Sequence, residues 1–365
     1  MRIAIDAREL TGHRTGVGRY LSELLTEWHT SDVRRRHEVT LYAHAAPSQL
    51  PEGWRDAWRD AWRVVPGAGG TRWEQWTFQR ALAADRPDVL FAPGYTAPLA
   101  CPAPVALAVH DVSFFAHPEW FARREGLRRR QLTAWSARRA TLVLAPSAFS
   151  AGEIVRHIGL DAARIRLVSL AVRPPADPPG PTREPMVLFV GSLFQRRRLD
   201  VLIDAFAEVA RTRPDARLEI VGENRTTPRL DFAAALTARG LDGRARLRDW
   251  VDDATLEGLY HRATVFAFLS RYEGFGFTPL EAMARGAVPV VLDTPVAREI
   301  YGAAAMRVAD TPTLVADVAT ALALLLDSGE ARARLRDAAT PVLARYHWSD
   351  AAARTLAHIE EAAGA

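Results

Sequence analysis

The sequence predicts an α/β protein built from two doubly wound, Rossmann-like domains. Short apolar runs alternate with longer amphipathic segments along the chain. Near-continuous apolar runs of about four to eight residues are typical of strands buried on both faces of a parallel sheet. The alternation stops once, at the proline-rich stretch 173–185, and then restarts. A chain of 365 residues is long for a single core and comfortable for two.

The first domain is predicted over residues 1–172. Its apolar runs, interpreted as buried strands, are 3–6, 39–43, 89–94, 105–111, 142–147 and 165–170, with helical patterns such as 18–29 and 121–140 between them. In the stretch 54–63 a tryptophan recurs every four residues, at Trp54, Trp58 and Trp62, which predicts one face of a helix. That face either packs into the core or contacts an acceptor or a membrane.

The second domain is predicted over residues 186–345, after a linker at 173–185. Six prolines in the linker exclude a helix or a central strand. The second set of strands is predicted at 186–192, 217–222, 245–251, 265–270, 288–293 and 306–309, and a final amphipathic helix at 346–365. Ligands of such sheets bind beyond the carboxyl ends of the strands. We therefore expect the chemistry in the strand-to-helix loops, facing a central cleft between the domains.

Composition indicates an ordinary globular protein, with 48% hydrophobic and 25% charged residues. No apolar run approaches the roughly 18 residues needed to cross a bilayer. The first apolar stretch contains Asp6, which favours a strand over a signal peptide. A single cysteine, Cys101, excludes an internal disulfide framework. A reducing cytoplasm is the expected compartment.

The positive charge of the chain is carried by arginine alone, because the sequence contains no lysine. Any phosphate site must therefore use planar guanidinium groups, which can bind two oxygens at once. The net charge of +4 is modest, and no zinc-finger spacing, RNA-binding signature or basic tail accompanies it. Nucleic acid is not an expected partner.

The stretch 273–281, EGFGFTPLE, places Glu273 and Glu281 on either side of a Gly-Phe-Gly. Two carboxylates suggest a general acid and a general base. However, Thr278 followed three residues later by Glu281 has the spacing of a capping box at a helix N-terminus. The glycines allow a tight turn with bare amides, and amides at a helix N-terminus suit a diphosphate. The stretch therefore predicts an anion-binding loop.

A second loop, 190–200, follows the first strand of the second domain. Arg196, Arg197 and Arg198 come directly before a helix predicted to start near Leu199 or Asp200. The loop should lie on the same sheet edge as the Gly-Phe-Gly loop, so we expect these cations to face an anion. Guanidinium–phosphate hydrogen bonds are worth about 1.5–3 kcal/mol each.

Two loops of the first domain carry further candidates. Gly12, Gly16 and Gly18 in the first strand-to-helix turn loosely resemble a dinucleotide fingerprint and allow a ligand to approach the backbone. His110 ends a predicted strand, where it either meets a ligand or serves as a satisfied structural histidine.

Three stretches of the second half resemble retaining GT-B glycosyltransferases of family 4, the large family of nucleotide-sugar transferases. They are GSLFQRRRLDVLIDAF (191–206), WVDDATLEGLYHRATVFAFLS (250–270) and SRYEGFGFTPLEAMARGAVPVV (270–291). In the first half, GVGRY (16–20), RWEQ (72–75), HDVSF (110–114) and APSAFSAGEIV (145–155) resemble the branch that often transfers mannose from GDP-mannose. The resemblance implies two facing Rossmann-like domains and a C-terminal helix, 346–365, that crosses back to the first.

The resemblance also implies a role for each matching residue. Glu273 would bind hydroxyls of the donor sugar, Glu281 the ribose hydroxyls, and Arg196 with Arg197 the diphosphate. The backbone of the Gly-Phe-Gly loop would hold sugar and diphosphate at Phe275, Gly276, Phe277 and Thr278. The base would lie against the segment 249–251, which contains Trp250 and Val251. From the first domain, Gly16 would approach the phosphates and His110 the donor sugar. The residues closest to the chemistry would be His110, Arg197 and Glu273.

Two positions depart from the family pattern. Arg197 stands where the family usually has lysine, and Ser192 stands where some members carry another arginine. The first change keeps the charge and adds bidentate geometry. The second leaves the diphosphate more dependent on Arg196 and Arg197.

The implied activity is that of a hexosyltransferase. It would be retaining and metal-independent, moving a sugar, with mannose from GDP-mannose favoured, to a hydroxyl of a glycan, lipid-linked or small-molecule acceptor, as in polysaccharide biosynthesis. No DxD motif is present, and Arg196, Arg197 and the helix N-terminus offer metal-free stabilisation of the leaving diphosphate. No cofactor is expected, since the nucleotide sugar is a co-substrate. The alternatives are a nucleotide-sugar epimerase or hydrolase of the same architecture, or a non-catalytic partner subunit that binds sugar nucleotides.

The predicted helix 123–139 is strongly basic. Its charges either form a solvated face or dock onto anionic lipid or a phosphorylated acceptor. Peripheral contact with the inner face of the membrane is therefore an expectation beside a cytoplasmic location.

Overall fold

The computed structural model describes residues 1–12, 16–47, 54–175 and 183–365, apart from the side chains at 55 and 56. The chain forms two compact units. Unit 1 consists of Met1–Pro118, Arg123–Ala171 and Trp348–Ala365, and unit 2 of Glu119–Ala122 and Val172–His347. Part of the predicted linker, residues 176–182, lies outside the described residues.

Unit 1 contains a parallel sheet with seven strands among its described residues. The strands are β1 Arg2–Asp6, β2 Glu38–Ala43, β3 Trp62–Val64, β4 Val89–Ala92, β5 Val105–Ala108, β6 Leu142–Ala145 and β7 Ile165–Leu167, in the order β3-β2-β1-β4-β5-β6-β7. Every residue of β4, β5 and β6 is buried. Burial of whole strands means that helices cover both faces of the sheet, as the near-continuous apolar runs predict.

The helices of unit 1 include α1 to α8 and the last helix of the chain. They are α1 Gly16–Thr30, α2 Val33–Arg36, α3 Trp54–Ala57, α4 Gly70–Arg72, α5 Gln79–Asp85, α6 Ser113–Ala116, α7 Arg123–Arg139 and α8 Ala148–Ile158, with a π-helical segment at Trp73–Phe78. The final helix, which we number α16, spans Trp348–Ala363. Its backbone accepts the indole N–H of Trp28 at the Ala352 carbonyl, 2.9 Å away. The predicted final helix is confirmed.

The tryptophan repeat does not form one helical face, so this prediction is wrong. After the single turn α3, a 3-10 turn spans Arg59–Ala61, and Trp62 then begins strand β3. Trp62 pairs with Leu41 of β2, so pairing at the sheet edge overrides the four-residue period. Trp54 and Trp58 are nevertheless buried, as the core-packing interpretation requires.

Unit 2 contains a parallel sheet with six strands among its described residues. The strands are β8 Glu184–Val190, β9 Arg217–Val221, β10 Ala245–Arg248, β11 Ala263–Phe268, β12 Val288–Leu292 and β13 Met306–Val308, in the order β10-β9-β8-β11-β12-β13. The helices are α9 Leu199–Thr212, α10 Phe232–Ala238, α11 Asp253–Arg262, α12 Phe277–Ala284, α13 Pro295–Tyr301, α14 Leu314–Asp327 and α15 Gly329–Leu343.

Both sheets reverse their strand order at one point, between β1 and β4 in unit 1 and between β8 and β11 in unit 2. The predicted class, α/β with two doubly wound parallel sheets, is confirmed. In such sheets the crevice for a ligand opens beyond the carboxyl ends of the strands at the reversal. The loops after β1, β8 and β11 carry Gly16, the arginine run and the Gly-Phe-Gly stretch, whereas His110 follows β5 and Trp250 follows β10.

Candidate functional site

The two loops at the strand reversal of unit 2 are tied together. One follows β8 and contains the arginine run, and the other follows β11 and contains Glu273. The backbone N–H of Arg271 donates to the carbonyl of Arg196 at 3.0 Å. The sequence-predicted arginines and the first glutamate of EGFGFTPLE therefore lie on neighbouring loops.

Arg197 and Glu273 form a hydrogen-bonded ion pair. Arg197 Nε donates to Glu273 Oε1 at 3.0 Å, and the hydroxyl of Ser270 donates to the same oxygen at 2.9 Å. Arg197 Nη1 donates to the Ser192 carbonyl at 3.0 Å, and the guanidinium lies 5.0 Å from the Phe268 ring centre. Both charged side chains are only 14% exposed, so they hold each other in defined orientations.

Arg196 adds a second cation to the same carboxylate. Its Nε lies 3.9 Å from Glu273 Oε1, within ion-pair range but beyond hydrogen-bond distance. Among the described residues this buried Nε has no hydrogen-bond partner, and the guanidinium lies 4.5 Å from the centre of the Phe194 ring. Two guanidiniums share one carboxylate, so this edge of the sheet has an excess positive charge that suits an anionic ligand.

The third arginine of the run leaves this group. Arg198 adopts a left-handed conformation with φ of 49°, and its Nη1 lies 3.1 Å from Asp310 Oδ1. Arg271 binds the other oxygen of Asp310 at 2.7 Å. The geometry thus separates Arg198 from Arg196 and Arg197, the two residues that the family resemblance singles out.

The predicted capping box at the start of α12 is wrong. The helix begins at Phe277, directly after Gly276, whose φ is 88°, so Thr278 lies inside the helix. Within the described part of the chain the Thr278 hydroxyl has no hydrogen-bond partner. Glu281 is buried, and its Oε2 accepts the hydroxyl of Tyr260 at 3.1 Å. Because Gly276 adopts the left-handed conformation, it occupies the capping position and the helix starts at Phe277. Thr278 is then the second residue of the helix and cannot cap it.

Trp250 and Val251 follow β10 on the same sheet. Trp250 is 74% exposed, and Asp252 next caps α11 by accepting the backbone N–H of Thr255 at 2.7 Å. The cap fixes the point where the loop ends. A large exposed indole can stack on a planar ring.

In unit 1, His110 is placed at the carboxyl end of β5. Its Nε2 lies 2.7 Å from the Pro93 carbonyl. Since a carbonyl can only accept, Nε2 carries the hydrogen and Nδ1 is left as an acceptor in the neutral ring. Burial lowers the pKa of His110, which favours this neutral form. The rings of Tyr20 and Tyr95 pack edge-on at 5.0 and 5.6 Å.

Gly16 is the exposed first residue of α1. A Cβ added there would meet no atom of the described residues within 4 Å, so packing against the described part of the chain does not require glycine. The space suits close approach by a ligand to the amide end of the helix. Residues 13–15 of the predicted glycine loop lie outside the described residues.

A buried charged cluster at the strand reversal of unit 1 was missed by the sequence reasoning. Arg8 Nη2 lies 2.9 Å from Asp6 Oδ2 and also contacts the carboxylate of Glu74. Thr96 donates to Glu74 at 2.6 Å. Burial raises the pKa of Asp6 to about 6. The available signals were the aspartate inside an apolar strand and the RWEQ motif that contains Glu74.

Two family models match consecutive parts of the chain. "Glycosyltransferase Family 4" matches residues 14–174, and "Glycosyl transferases group 1" matches residues 175–341. Together they cover both halves of the chain and include the loops that contain Arg196, Glu273, Trp250 and His110.

Curated relatives match parts of the chain. A GDP-mannose:cellobiosyl-diphosphopolyprenol alpha-mannosyltransferase of Komagataeibacter xylinus is 26% identical over 241 residues, 65% of this chain and 61% of that protein. A mannosylfructose-phosphate synthase of Agrobacterium fabrum is 37% identical over 112 residues, 29% of this chain and 25% of the relative. The matched segments thus span less than two thirds of these relatives' own lengths.

Among solved structures, HepE of Anabaena, crystallised in complex with UDP and glucose, superposes with a TM-score of 0.73. The match is 17% identical and covers 99% of both chains. This likeness shows the fold, which is the GT-B fold expected from the sequence motifs.

Among the residues that the structure describes, no group of three or more His, Cys, Asp or Glu could hold a metal ion. No described helix has both the length and the apolar character needed to cross a membrane.

Proposed function

The chain belongs to the glycosyltransferases that combine a Glycosyltransferase Family 4 domain with a Glycosyl transferases group 1 domain, and on this premise we propose that it is a hexosyltransferase. It transfers a sugar from a nucleotide-sugar donor to a hydroxyl of a glycan, lipid-linked or small-molecule acceptor. The observation that carries the proposal is the placement of Arg196, Arg197 and Glu273 on the two tied loops at the strand reversal of unit 2.

The two arginines bind the diphosphate of the donor. A guanidinium offers five N–H donors in a planar fork, and Arg197 uses two of them on Glu273 and Ser192. Charge-assisted hydrogen bonds to a leaving diphosphate strengthen as its negative charge grows in the transition state. This is the metal-independent route.

Glu273 accepts hydroxyls of the donor sugar. Arg197 and Ser270 both hold Oε1, so the carboxylate is oriented before the sugar arrives. Preorganised groups cost no rearrangement at the moment of reaction. His110, neutral and carrying its acceptor on Nδ1, is proposed as a further contact to a sugar hydroxyl.

The nucleoside binds along the neighbouring loops. The exposed indole of Trp250 stacks on the base beside Val251. The Glu281 carboxylate accepts ribose hydroxyls while Tyr260 holds its Oε2. Backbone at Phe275, Gly276, Phe277 and Thr278 lines the sugar and diphosphate, and Gly16 at the start of α1 approaches the phosphates.

The transfer retains the anomeric configuration. The acceptor oxygen bonds to the anomeric carbon on the face from which the diphosphate departs, and the bond from that carbon to the phosphate oxygen breaks. The acceptor proton passes to the departing phosphate. No nucleophile from the protein is needed in this scheme.

GDP-mannose is the proposed donor, and mannose is the sugar that is transferred. The support is the K. xylinus relative, whose name specifies GDP-mannose, and the first-half motifs that resemble the mannose-transferring branch. A panel of GDP- and UDP-sugars tested by thermal shift in EDTA, followed by linkage and anomer analysis of the product, tests this. Stabilisation by UDP-sugars alone would overturn the GDP assignment, and release of free sugar or an epimer without acceptor would favour a hydrolase or epimerase.

Helix α7 is the proposed contact with an anionic membrane. Four exposed residues of α7 recur at helical spacing and therefore lie on one face of the helix. They are Arg124, Arg128, Trp135 and Arg139. Trp135 is 42% exposed, and Leu127 beside this face is also exposed. Arginine attracts anionic headgroups, and an indole favours the interface of the bilayer.

Co-sedimentation with phosphatidylglycerol vesicles tests the membrane contact. We expect binding at low salt that weakens as salt is raised, and loss of binding in Arg124→Glu combined with Trp135→Ala. Arg36→Glu, an equal change of charge on the exposed surface of α2, is the control. Failure of the wild type to bind at low salt would overturn the contact.

A further inference from the structure

Tyr301, the last residue of α13, lies beneath the Gly-Phe-Gly loop of unit 2. Its side chain is buried, with 3% of the residue exposed. The hydroxyl donates to the Gly276 carbonyl at 3.0 Å and lies 3.4 Å from the Phe275 carbonyl. The single phenolic hydrogen therefore binds the Gly276 carbonyl, and the preceding carbonyl faces the same oxygen at a longer distance.

The fit between Tyr301 and the loop requires glycine at 276. A Cβ at that position would lie 2.0 Å from the Tyr301 hydroxyl oxygen, well inside van der Waals contact. The φ of 88° also favours glycine there. Tyr301 and Gly276 are thus matched in shape, although they lie 25 residues apart in sequence.

The contacts of the Tyr301 hydroxyl with these two carbonyls determine which way the amides of the loop point. In a planar trans peptide the C=O and the N–H point in opposite directions. Because the Phe275 and Gly276 carbonyls are turned toward Tyr301, the N–H groups of Gly276 and Phe277 are directed to the side opposite the phenol. These amides stand at the N-terminus of α12, where the helix favours an anion.

A second tyrosine braces the same loop without touching its carbonyls. The Phe275 ring packs edge-on against Tyr346, with ring centres 5.2 Å apart. The Tyr346 hydroxyl donates to the carbonyl of Ile300 at 3.3 Å, the residue before Tyr301. Burial, with a smaller contribution from the Glu273 carboxylate, raises the pKa of Tyr301, so its hydroxyl stays protonated and able to donate.

We propose that Tyr301 is a positioning residue of the donor site, which sets the orientation of the Gly276 and Phe277 amides toward the donor diphosphate. The inference rests on the proposed function, because it assigns the ligand of these amides. It adds a residue from a different helix to the donor site. Tyr301 acts through the backbone and does not itself touch the donor.

The Tyr301→Phe variant tests the proposal, since it removes the hydroxyl and keeps the ring. Misplacing a binding group by about 1 Å costs roughly a hundredfold in rate, so we expect kcat to fall about ten- to a hundredfold. The GDP affinity, measured by calorimetry, falls in the same direction, and hydrogen exchange of the peptide covering 274–278 becomes faster. Tyr346→Phe is the matched control, because it also loses a buried hydroxyl but leaves the Tyr301 hydroxyl and its contacts with the loop in place. Its kcat stays near that of the wild type.

A merely structural role makes a different prediction. In that case Tyr301→Phe and Tyr346→Phe would both lower the melting temperature, while kcat and GDP affinity stayed unchanged. That result would overturn the proposal. If the wild type binds neither GDP nor UDP, the proposed function fails. If the wild type binds and Tyr301→Phe binds equally well, only the present inference fails.

A double-variant cycle tests the matched pair directly and needs no ligand. Gly276→Ala places its methyl group against the Tyr301 hydroxyl, whereas in the Tyr301→Phe background the nearest remaining atom of the ring is 3.3 Å from that methyl. The strain of the positive φ is common to both backgrounds and cancels. We expect Gly276→Ala to lower the melting temperature less in the Tyr301→Phe background. Equal losses in the two backgrounds would overturn the contact on which the proposal depends.

Discussion

Replacement of Arg197 by alanine is the change whose effect on activity can be derived most directly from the geometry of the donor site. In the structure the guanidinium donates one N–H to Glu273 and one to the Ser192 carbonyl. Three of its five N–H donors remain for a ligand. A bidentate contact to the diphosphate uses two of these. At about 1.5–3 kcal/mol for each charge-assisted hydrogen bond, the variant loses about 3–6 kcal/mol of transition-state stabilisation. Each 1.36 kcal/mol is about tenfold in rate, so kcat/KM falls by at least about a hundredfold.

The fold should survive this change. In the variant, Glu273 keeps its hydrogen bond from the Ser270 hydroxyl at 2.9 Å and its ion pair with Arg196 at 3.9 Å. The partly buried carboxylate therefore still has a donor and a positive charge beside it. Steady-state kinetics with the best donor and acceptor, together with a melting curve, measure both effects. Glu273→Ala is expected to lose most transfer in the same way.

Arg198→Ala is the matched control for Arg197→Ala. It removes the same side chain from the adjacent position, but Arg198 pairs with Asp310. We expect its kcat/KM to stay within about twofold of the wild type, because its guanidinium binds Asp310 and is not among the groups proposed to bind the diphosphate. Near wild-type turnover in Arg197→Ala, or equal losses in the two variants, would refute the assignment of the diphosphate to Arg197.

Three further predictions concern other residues. Glu281→Gln keeps an acceptor for the Tyr260 hydroxyl, so the melting temperature should change little while the preference for GDP over 2′-deoxy-GDP, measured by calorimetry, disappears; a retained preference would exclude the ribose role. Trp250→Ala removes an exposed ring and should weaken GDP binding roughly tenfold, since base–aromatic stacking is worth about 1–3 kcal/mol, with unchanged stability; undiminished affinity would rule out stacking. Burial raises the pKa of Asp6 from 3.8 to about 6, so the folded protein binds this proton more tightly than the unfolded chain. The stability contributed by Asp6 is therefore full below about pH 4 and is lost as the pH rises through about 6. The melting temperature of the wild type relative to Asp6→Asn should fall over that range, and a flat difference would contradict the shift.

The architecture could be predicted because its signal is local. Strands buried on both faces appear as uninterrupted apolar runs such as 89–92 and 105–108. The sheet then fixes the position of the loop that follows each strand. The arginine run and EGFGFTPLE follow strands that prove to be neighbours, β8 and β11. Their encounter at one sheet edge follows from the parallel fold alone.

The two wrong predictions concern segments whose structure depends on a distant contact or on an unusual backbone conformation. The tryptophan period at 54–63 suggested one helix, but pairing of Trp62 with Leu41 placed the third tryptophan in a strand. The capping box failed because Gly276 adopts a positive φ and α12 starts at Phe277. Spacing within a motif shows neither of these effects.

The remaining site residues carried no readable local signal. Tyr301 reaches Gly276 from 25 positions away, and Glu74 reaches Arg8 from 66 positions away. Each contact is created by packing of separate elements, which a single sequence does not display. The roles of Gly16 and His110 toward the donor stay predictions.

The central claim is that the strand reversal of unit 2 binds a nucleotide-sugar diphosphate through Arg197 without metal. Calorimetric titration of GDP-mannose in EDTA into the wild type, Arg197→Ala and Arg198→Ala tests it most directly. The account predicts saturable one-site binding to the wild type and to Arg198→Ala, and a loss of at least about a hundredfold in Arg197→Ala, as expected for two charged hydrogen bonds. Equal affinity in all three proteins, or binding that requires a divalent cation, would contradict it.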